Sequence, residues 1–155
     1  MTPAINAAKR LKINYTLHEY SHDAAVESFG LEAVEKLNVA PARVFKTLIV
    51  FLDNNELVAG IIPVPKKLSL KLIAKAMGEK KAVMADKLSV ERTTGYVLGG
   101  VSPLEQKKRL KSVIDVSAMQ FETIFVSAGR RGLEIELSPK NLIMLTSSVV
   151  ADIAQ

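Results

Sequence analysis

The nine residues from Gly95 to Pro103 (GYVLGGVSP) combine three glycines, a serine hydroxyl and a rigid proline. Glycine lets the backbone turn steeply and lets a ligand approach its amide groups, because no Cβ stands in the way. A basic run from Lys107 to Lys111 follows shortly after. A donor-rich loop that leads into cations suits a ligand with both a carbonyl group and phosphates. Taken alone, the pattern is equally typical of a surface loop before a solvated cationic face.

Lys46 is a second candidate because it lies inside the most apolar segment of the chain, Val44 to Leu52. Moving an ammonium group out of water costs several kcal/mol, as an order of magnitude, unless the group is paired or its pKa falls. Strand alternation could instead place Lys46 on the solvent face. Both placements remain open from the sequence.

Other polar and aromatic residues carry weaker signals. Ser127 closes a predicted strand, and without a base at recognisable spacing we expect it to form hydrogen bonds rather than act as a nucleophile. Glu134 and Glu136 share one face of a predicted strand, where at least one is expected to be a solvated charge. Tyr20 and Phe29 flank a polar loop, where packing at a rim is the more common role of aromatic residues.

His18 to His22 spells H-E-x-x-H, the pattern of zinc proteases. That chemistry requires a helix, in which residues four apart lie about 6 Å from each other. Here the motif ends a strand-like alternation, which would separate the two histidines by about 13 Å, too far to share an ion through ~2 Å bonds. We therefore expect a strand end followed by a polar loop, and no metal site.

Composition narrows the function classes. The chain has no cysteine, which excludes disulfides, a thiolate zinc site and a cysteine nucleophile. Its 21 Lys and Arg residues exceed its 16 Asp and Glu residues, and most of the clustered cations lie in the C-terminal two thirds. Such clusters favour polyanions such as nucleic acid, although lysines on helices also serve solubility alone. No apolar run approaches the ~18 residues of a membrane span and no signal pattern begins the chain, so we expect a cytoplasmic protein.

The elements that must position these residues alternate between helices and strands. Cap residues predict helix starts after Thr2, Ser69, Asp86 and Ser138. The apolar runs Val44–Leu52 and Leu57–Ile62 flank turn residues and predict an antiparallel hairpin, and 123–127 with 133–137 predict a second one. We therefore predict a single α+β domain over 1–155, with a curled, mixed, mostly antiparallel sheet or barrel flanked by helices.

Several short motifs occur in a specific order along nearly the whole chain. They are MTPAI at the start, Phe29-Gly30, Lys46-Thr47-Leu48, Met84–Lys87, Thr94–Tyr96, Gly99–Leu104, Gln106–Arg109, Phe125–Ser127 and Arg131–Leu133. Together they resemble the YbaK family of aminoacyl-tRNA deacylases, which is related to the editing insertion domain of bacterial prolyl-tRNA synthetases.

The resemblance implies hydrolytic removal of a wrong amino acid from tRNA, typically cysteine from tRNA(Pro), with no cofactor. Lys46 then resembles the family's essential lysine, and Gly99 and Gly100 would line the aminoacyl pocket and offer amide groups. The rest of the substrate-binding wall would be Tyr20, Phe29, Thr47, Ser102, Ser127, Gly129 and Glu134. Prolyl-tRNA synthetase is an expected partner.

The sequence also departs from the family pattern. Ala128 and Glu105 stand where relatives usually have glycine, and Glu134 stands where aspartate is common. These changes bear on efficiency and on amino-acid preference more than on the class of activity. Two alternatives therefore stay open: a deacylase for another small amino acid such as alanine or serine, and a non-catalytic module that binds tRNA or a synthetase.

Overall fold

The structure is a computed structural model that describes residues 1–26 and 28–155. Its helices are α1 (Pro3–Arg10), α2 (Phe29–Leu37), α3 (Leu70–Ala76), α4 (Lys87–Thr94) and α5 (Pro139–Thr146). Its strands are β1 (Tyr15–Glu19), β2 (Phe45–Leu52), β3 (Leu57–Pro63), β4 (Ala82–Met84), β5 (Lys111–Asp115), β6 (Ile124–Arg130), β7 (Leu133–Leu137) and β8 (Val149–Ala151). Short 3-10 helices cover Pro41–Arg43 and Val116–Gln120.

The strands form two sheets. One is antiparallel with the order β1-β7-β6, and the other has the order β4-β2-β3-β5-β8. In the larger sheet β2 pairs antiparallel with β3 and β4, whereas β5 is parallel to β3 and to β8. A parallel bridge between Val44 and Phe125 links β6 to the start of β2. The α+β class and the mixed, mostly antiparallel pairing are confirmed, but the strands do not close into a barrel.

Side-chain caps begin the helices where the sequence predicts them. The hydroxyl of Thr2 accepts a hydrogen bond from the Ile5 amide at 3.2 Å, and the carboxylate of Asp86 accepts one from the Ser89 amide at 3.1 Å. Each cap satisfies an amide that has no partner within its helix. The Thr2 hydroxyl also donates to the carbonyl of Ala128, which ties α1 to β6.

The alternation of β6 and β7 separates a core face from a site face. Ile124, Val126, Ile135 and Leu137 belong to the largest buried apolar cluster, which also contains residues of α1 and α5. Residues of opposite parity, such as Phe125, face the other side, where Phe125 packs with Ala33, Val44 and Val64. The second face is therefore covered by α2 and by the segments at the ends of β2 and β3.

Two features were not predicted. The short strand β8 extends the larger sheet beside β5. β6 continues to Arg130 through an irregular pairing between Ser127 and Arg130, so the tight turn expected over residues 129–132 is shortened to Arg131 and Gly132. Among the described residues, no helix has both the length and the apolar character needed to cross a bilayer.

Candidate active site

A cavity of about 340 Å³ lies between β2, the β6–β7 hairpin and the start of α2. This volume is at the low end of the range found for small-molecule sites. Most of the residues predicted from the sequence line it: Tyr20, Phe29, Lys46, Thr47, Gly99, Ser127 and Glu134. Positions that are far apart along the chain are thus brought to one cavity, as the motif series predicts.

One wall of the cavity is an edge of β2. On the side away from β3, β2 pairs with β4 only over Val50–Leu52. The stretch from Lys46 to Leu48 has no strand partner on that side in the part of the chain that the structure describes, and it borders the cavity. Unpaired backbone groups on such an edge are available to a ligand.

The sequence left open whether Lys46 is buried or lies on the solvent face. In the structure Lys46 is half-buried and lies on this wall of the cavity. Burial lowers the pKa of its ammonium group. Within residues 1–26 and 28–155, no carboxylate lies within ion-pair distance of its Nζ. The ammonium is therefore a desolvated donor that a ligand can engage.

Thr47 is the neighbouring residue, and its buried Oγ1 has no hydrogen-bond partner among the described residues. A buried hydroxyl without a partner costs about 1–3 kcal/mol of desolvation that no bond offsets. The residue lines the cavity, so a ligand can supply the missing partner.

We expect Thr47→Val to leave the free energy of unfolding of the ligand-free protein unchanged or to raise it by about 1 kcal/mol, because no hydrogen bond is lost. Urea unfolding measures the change. Thr94→Val is the matched control: the Thr94 hydroxyl donates to the Val90 carbonyl at 2.7 Å, so this variant should lose about 1 kcal/mol. A loss as large in Thr47→Val would show that its hydroxyl is already bonded.

Glu134 faces the same cavity from β7, opposite Ser127 in the antiparallel pairing. It is only 7% exposed, and burial raises the pKa of its carboxyl to about 8. At neutral pH the site therefore holds a protonated carboxylic acid that can donate a hydrogen bond. Association with a cationic group would favour its ionised form.

The buried carboxyl makes stability depend on pH. The ordinary pKa of a glutamate is 4.5, so between about pH 4.5 and pH 8 the folded protein keeps a proton that the unfolded chain has lost. The free energy of unfolding then falls as pH rises, by up to about 1.4 kcal/mol per pH unit.

Glu134→Gln cannot ionise, and we expect its stability relative to wild type to increase from pH 5 to pH 8 in urea unfolding. Glu122→Gln, at an exposed position, is the control; equal behaviour of the two variants would contradict the burial effect.

The loop that carries Gly99 is closed at both ends. Gly95 ends α4 with a φ of 80°, and the Lys107 amide donates to the Thr94 carbonyl at 2.9 Å. Inside the loop, the buried Tyr96 hydroxyl donates to the Leu104 carbonyl at 2.6 Å. These bonds close the loop on itself.

Gly99 occupies the third position of a turn in which the Gly100 amide donates to the Val97 carbonyl at 2.9 Å. Its φ of 86° is the positive value that this position of a type II turn requires. An added Cβ at Gly99 would lie 2.7 Å from the Phe29 ring. The Gly99 amide has no acceptor among the described residues, so it remains available to a ligand.

Three predicted residues, Gly100, Ser102 and Gly129, are not among the residues that line the cavity. The Gly100 amide is used within the turn, so it is not the free donor that we expected. Ser102 is fully buried and its hydroxyl accepts from the Leu104 amide at 3.2 Å. An added Cβ at Gly129 would lie 2.8 Å from the Tyr96 ring, and the Gly129 amide donates to Ser127 Oγ at 3.2 Å. These residues shape the segments that hold Gly99 and Ser127.

Tyr20 and Phe29 also line the cavity, one beside β7 and the other at the start of α2. The Tyr20 amide continues the β1–β7 pairing by donating to the Gly132 carbonyl at 2.9 Å. Burial, aided by the charges of Glu134 and Glu32, raises the pKa of the Tyr20 hydroxyl to about 12, so it stays a neutral donor. Phe29 is the first residue of α2, directly after the cap Ser28.

The two histidines do not share a ligand site. His18 lies in β1 and its Nε2 is 2.9 Å from Glu136, whereas His22 Nδ1 is 2.7 Å from Glu32. The prediction that H-E-x-x-H falls on a strand end is confirmed. Burial alone would raise the pKa of Glu32, but bonds from the Asp23 amide, His22 and Lys36 lower it to about 2. This ionised group fastens the loop before α2.

Part of the cavity lining was not predicted from the sequence. Leu98 and Val101 also line the cavity, and they lie inside the glycine-rich stretch that the sequence singled out. Arg131 lies over the Phe29 ring at 4.6 Å, a contact between residues a hundred positions apart that no local pattern indicates.

The chain is similar to known proteins over most of its length. Residues 25–145 match the aminoacyl-tRNA editing domain. The chain is 36% identical over 153 residues to EbsC of Enterococcus faecalis, and the match covers 98% of this chain and 92% of EbsC. EbsC carries the provisional name Cys-tRNA(Pro)/Cys-tRNA(Cys) deacylase.

Two solved structures have similar folds. The hypothetical protein APE2540 has a TM-score of 0.89 at 26% identity, over 99% of this chain and 100% of that chain. A protein described provisionally as a trans-editing enzyme for prolyl tRNA synthetase has a TM-score of 0.83 at 18% identity, over 100% of this chain and 99% of that one. At 18% identity the second likeness shows the fold alone.

Proposed function

Because the chain belongs to the aminoacyl-tRNA editing domain family, as its match over residues 25–145 shows, we propose that it removes cysteine mischarged onto tRNA(Pro). The family resemblance indicated by the motifs is confirmed. The name of EbsC supports cysteine as the amino acid. We further propose that the protein acts in trans in the cytoplasm. Because the cavity is too small to recognise a whole tRNA, we propose that prolyl-tRNA synthetase recruits the protein to its substrate.

The observation that carries this proposal is that Lys46 and Gly99 line one cavity of about 340 Å³, while the Gly99 amide has no acceptor among the described residues. An aminoacyl ester is already activated, so hydrolysis requires orientation and charge stabilisation more than a strong nucleophile. The Gly99 amide stabilises the oxyanion that develops on the ester carbonyl; one such donor is worth about 10²–10³-fold in kcat in known enzymes. Lys46 binds the terminal ribose or phosphate and orients the ester.

The substrate supplies the nucleophile. The cysteine thiol attacks its own carbonyl carbon, a C–S bond forms, and the ester C–O bond to the ribose breaks. The thiol proton ends on the ribose oxygen, and the amino acid leaves as a thiolactone that water opens to cysteine. The contribution of the protein is positioning, which in intramolecular reactions reaches effective molarities of about 10⁵–10⁸ M.

The other wall residues recognise the amino acid. Glu134 faces the cavity as a neutral acid; beside the substrate ammonium it releases its proton to solvent, and the carboxylate and the ammonium then form an ion pair. The unpartnered hydroxyl of Thr47 accepts or donates one hydrogen bond to the ligand. Ser127 is paired with Glu134 across β6 and β7, and Tyr20 and Phe29 also line the cavity.

A panel of tRNAs charged with cysteine, alanine, serine and proline tests the function. We expect amino-acid release above the rate without protein for Cys-tRNA(Pro), and much slower release from correctly charged Pro-tRNA(Pro). Faster release of alanine or serine would reassign the substrate, because one small group changes binding by only about 1–3 kcal/mol. Salt-sensitive tRNA binding with no release from any substrate would contradict a deacylase and indicate a binding module.

A further inference from the structure

Arg131 joins three elements at the rim of the cavity. It lies in the turn between β6 and β7, and its guanidinium lies over the Phe29 ring of α2 at 4.6 Å. Its Nε donates to the Leu98 carbonyl at 2.8 Å. An added Cβ at Gly99 would lie 2.9 Å from the same Nε, so the guanidinium is directly beside the turn that presents the free amide.

Apart from Lys46, three cations of the neighbouring elements are held by carboxylates. Arg43 pairs with Glu136 at 3.2 Å, Lys36 with Glu32 at 3.0 Å and Arg130 with Glu19 at 3.6 Å. Arg131 has no carboxylate partner in the part of the chain that the structure describes. A guanidinium has five N–H donors, and the bond to Leu98 uses one of them.

This combination fits a phosphate group. The planar guanidinium binds phosphate oxygens with two parallel hydrogen bonds, which a lysine cannot reproduce. Stacking on Phe29 and the bond to Leu98 hold the side chain in place before a ligand arrives, so little rotamer entropy remains to be lost on binding. The exposed rim leaves the remaining donors accessible.

We propose that Arg131 binds the phosphate on the 5′ side of the terminal adenosine of the aminoacyl-tRNA. This assignment rests on the proposed function, which places the ester in the cavity beside Gly99. In one nucleotide, the ester oxygen and the 5′ phosphate are separated by a single ribose. A phosphate site at the rim next to Gly99 therefore matches the substrate, and it leaves Lys46 to the ribose and the ester.

Binding of AMP and adenosine tests the phosphate site without any turnover. We expect wild type to bind AMP about tenfold or more tightly than adenosine, in line with hydrogen bonds between charged groups. In Arg131→Ala the two affinities should become similar, and Arg131→Lys should retain only part of the preference. Arg130→Ala removes the same charge one residue away and should behave as wild type.

Kinetics on Cys-tRNA(Pro) show whether the phosphate belongs to tRNA. We expect Arg131→Ala to raise KM about tenfold with kcat nearly unchanged, and to reduce the slope of log(kcat/KM) against log[salt] by about 0.7, as for one lost contact to a single strand. Arg130→Ala should change neither. An AMP preference that depends on Arg131, combined with an unchanged KM for tRNA, would assign the site to free nucleotides and overturn the proposal.

The two proposals fail in different ways. If wild type deacylates Cys-tRNA(Pro) but shows no preference for AMP, or keeps the preference in Arg131→Ala, the phosphate site is wrong and the function stands. If the AMP preference depends on Arg131 but no charged tRNA is deacylated, the phosphate site stands and the deacylase function is wrong. Equal losses of the AMP preference in Arg131→Ala and Arg130→Ala would show that the preference depends on general surface charge, and would overturn the assignment.

Discussion

Replacing Lys46 with alanine is expected to lower kcat/KM for deacylation of Cys-tRNA(Pro) by about 100-fold or more, with the fold retained. The ammonium is half-buried on the cavity wall, and no described residue pairs with it. Its removal therefore leaves no buried carboxylate without a counter-ion. Burial lowers the pKa of this group, and removing it should not destabilise the protein. Single-turnover assays with charged tRNA measure the effect, and urea unfolding checks the fold.

Lys66→Ala is the matched control for Lys46→Ala. Lys66 is exposed just after β3, and its substitution removes the same unit of charge away from the cavity. We expect this variant to keep wild-type activity within about twofold after the general effect of charge on tRNA association is allowed for. Equal rates for wild type and a folded Lys46→Ala would remove Lys46 from the proposed mechanism.

Gly99→Ala is expected to lose at least about 100-fold in kcat. The added Cβ would lie 2.7 Å from the Phe29 ring and 2.9 Å from Arg131 Nε, so the turn or both neighbours must move. The φ of 86° adds backbone strain for any residue with a Cβ. Both effects displace the amide that we propose as the oxyanion donor, and a 1 Å displacement in a reacting geometry costs about 10²-fold.

Gly78→Ala is the control that adds backbone strain without a steric clash. Gly78 has a similar φ of 74°, but an added Cβ there would meet no atom within 4 Å. We therefore expect Gly78→Ala to lose about 1–2 kcal/mol of stability and no activity. A folded Gly99→Ala with near-wild-type kcat would show that the position of this amide does not matter to the reaction.

Local signals in the sequence predict most of the fold. The caps at Thr2, Ser69, Asp86 and Ser138 begin helices as expected, because a side-chain oxygen and an unpaired amide are neighbours along the chain. The hairpin of β2 and β3 follows from two apolar runs around the turn at Asp53. β8 was missed because three residues carry too little pattern, and its pairing with β5 depends on the rest of the sheet.

The sequence indicated residues that the fold brings together, but not how their backbone groups are used. Lys46, Gly99 and Glu134 line one cavity, and their binding of a substrate stays a prediction. Gly100 was expected to offer its amide because of the family resemblance, but that amide is used within the turn. Ser102 and Gly129 were assigned through the same resemblance, and only the three-dimensional packing shows that their neighbours are Leu104 and Tyr96.

A crystal structure with an amide-linked cysteinyl analogue of the terminal adenosine tests the central claim most directly, because the amide cannot be cleaved. Our account predicts the analogue in the cavity, with its carbonyl oxygen about 3 Å from the Gly99 amide nitrogen and Lys46 Nζ within hydrogen-bond distance of the ligand. An analogue bound outside this cavity, or bound inside it with its carbonyl oxygen away from Gly99 and Lys46, would contradict the account.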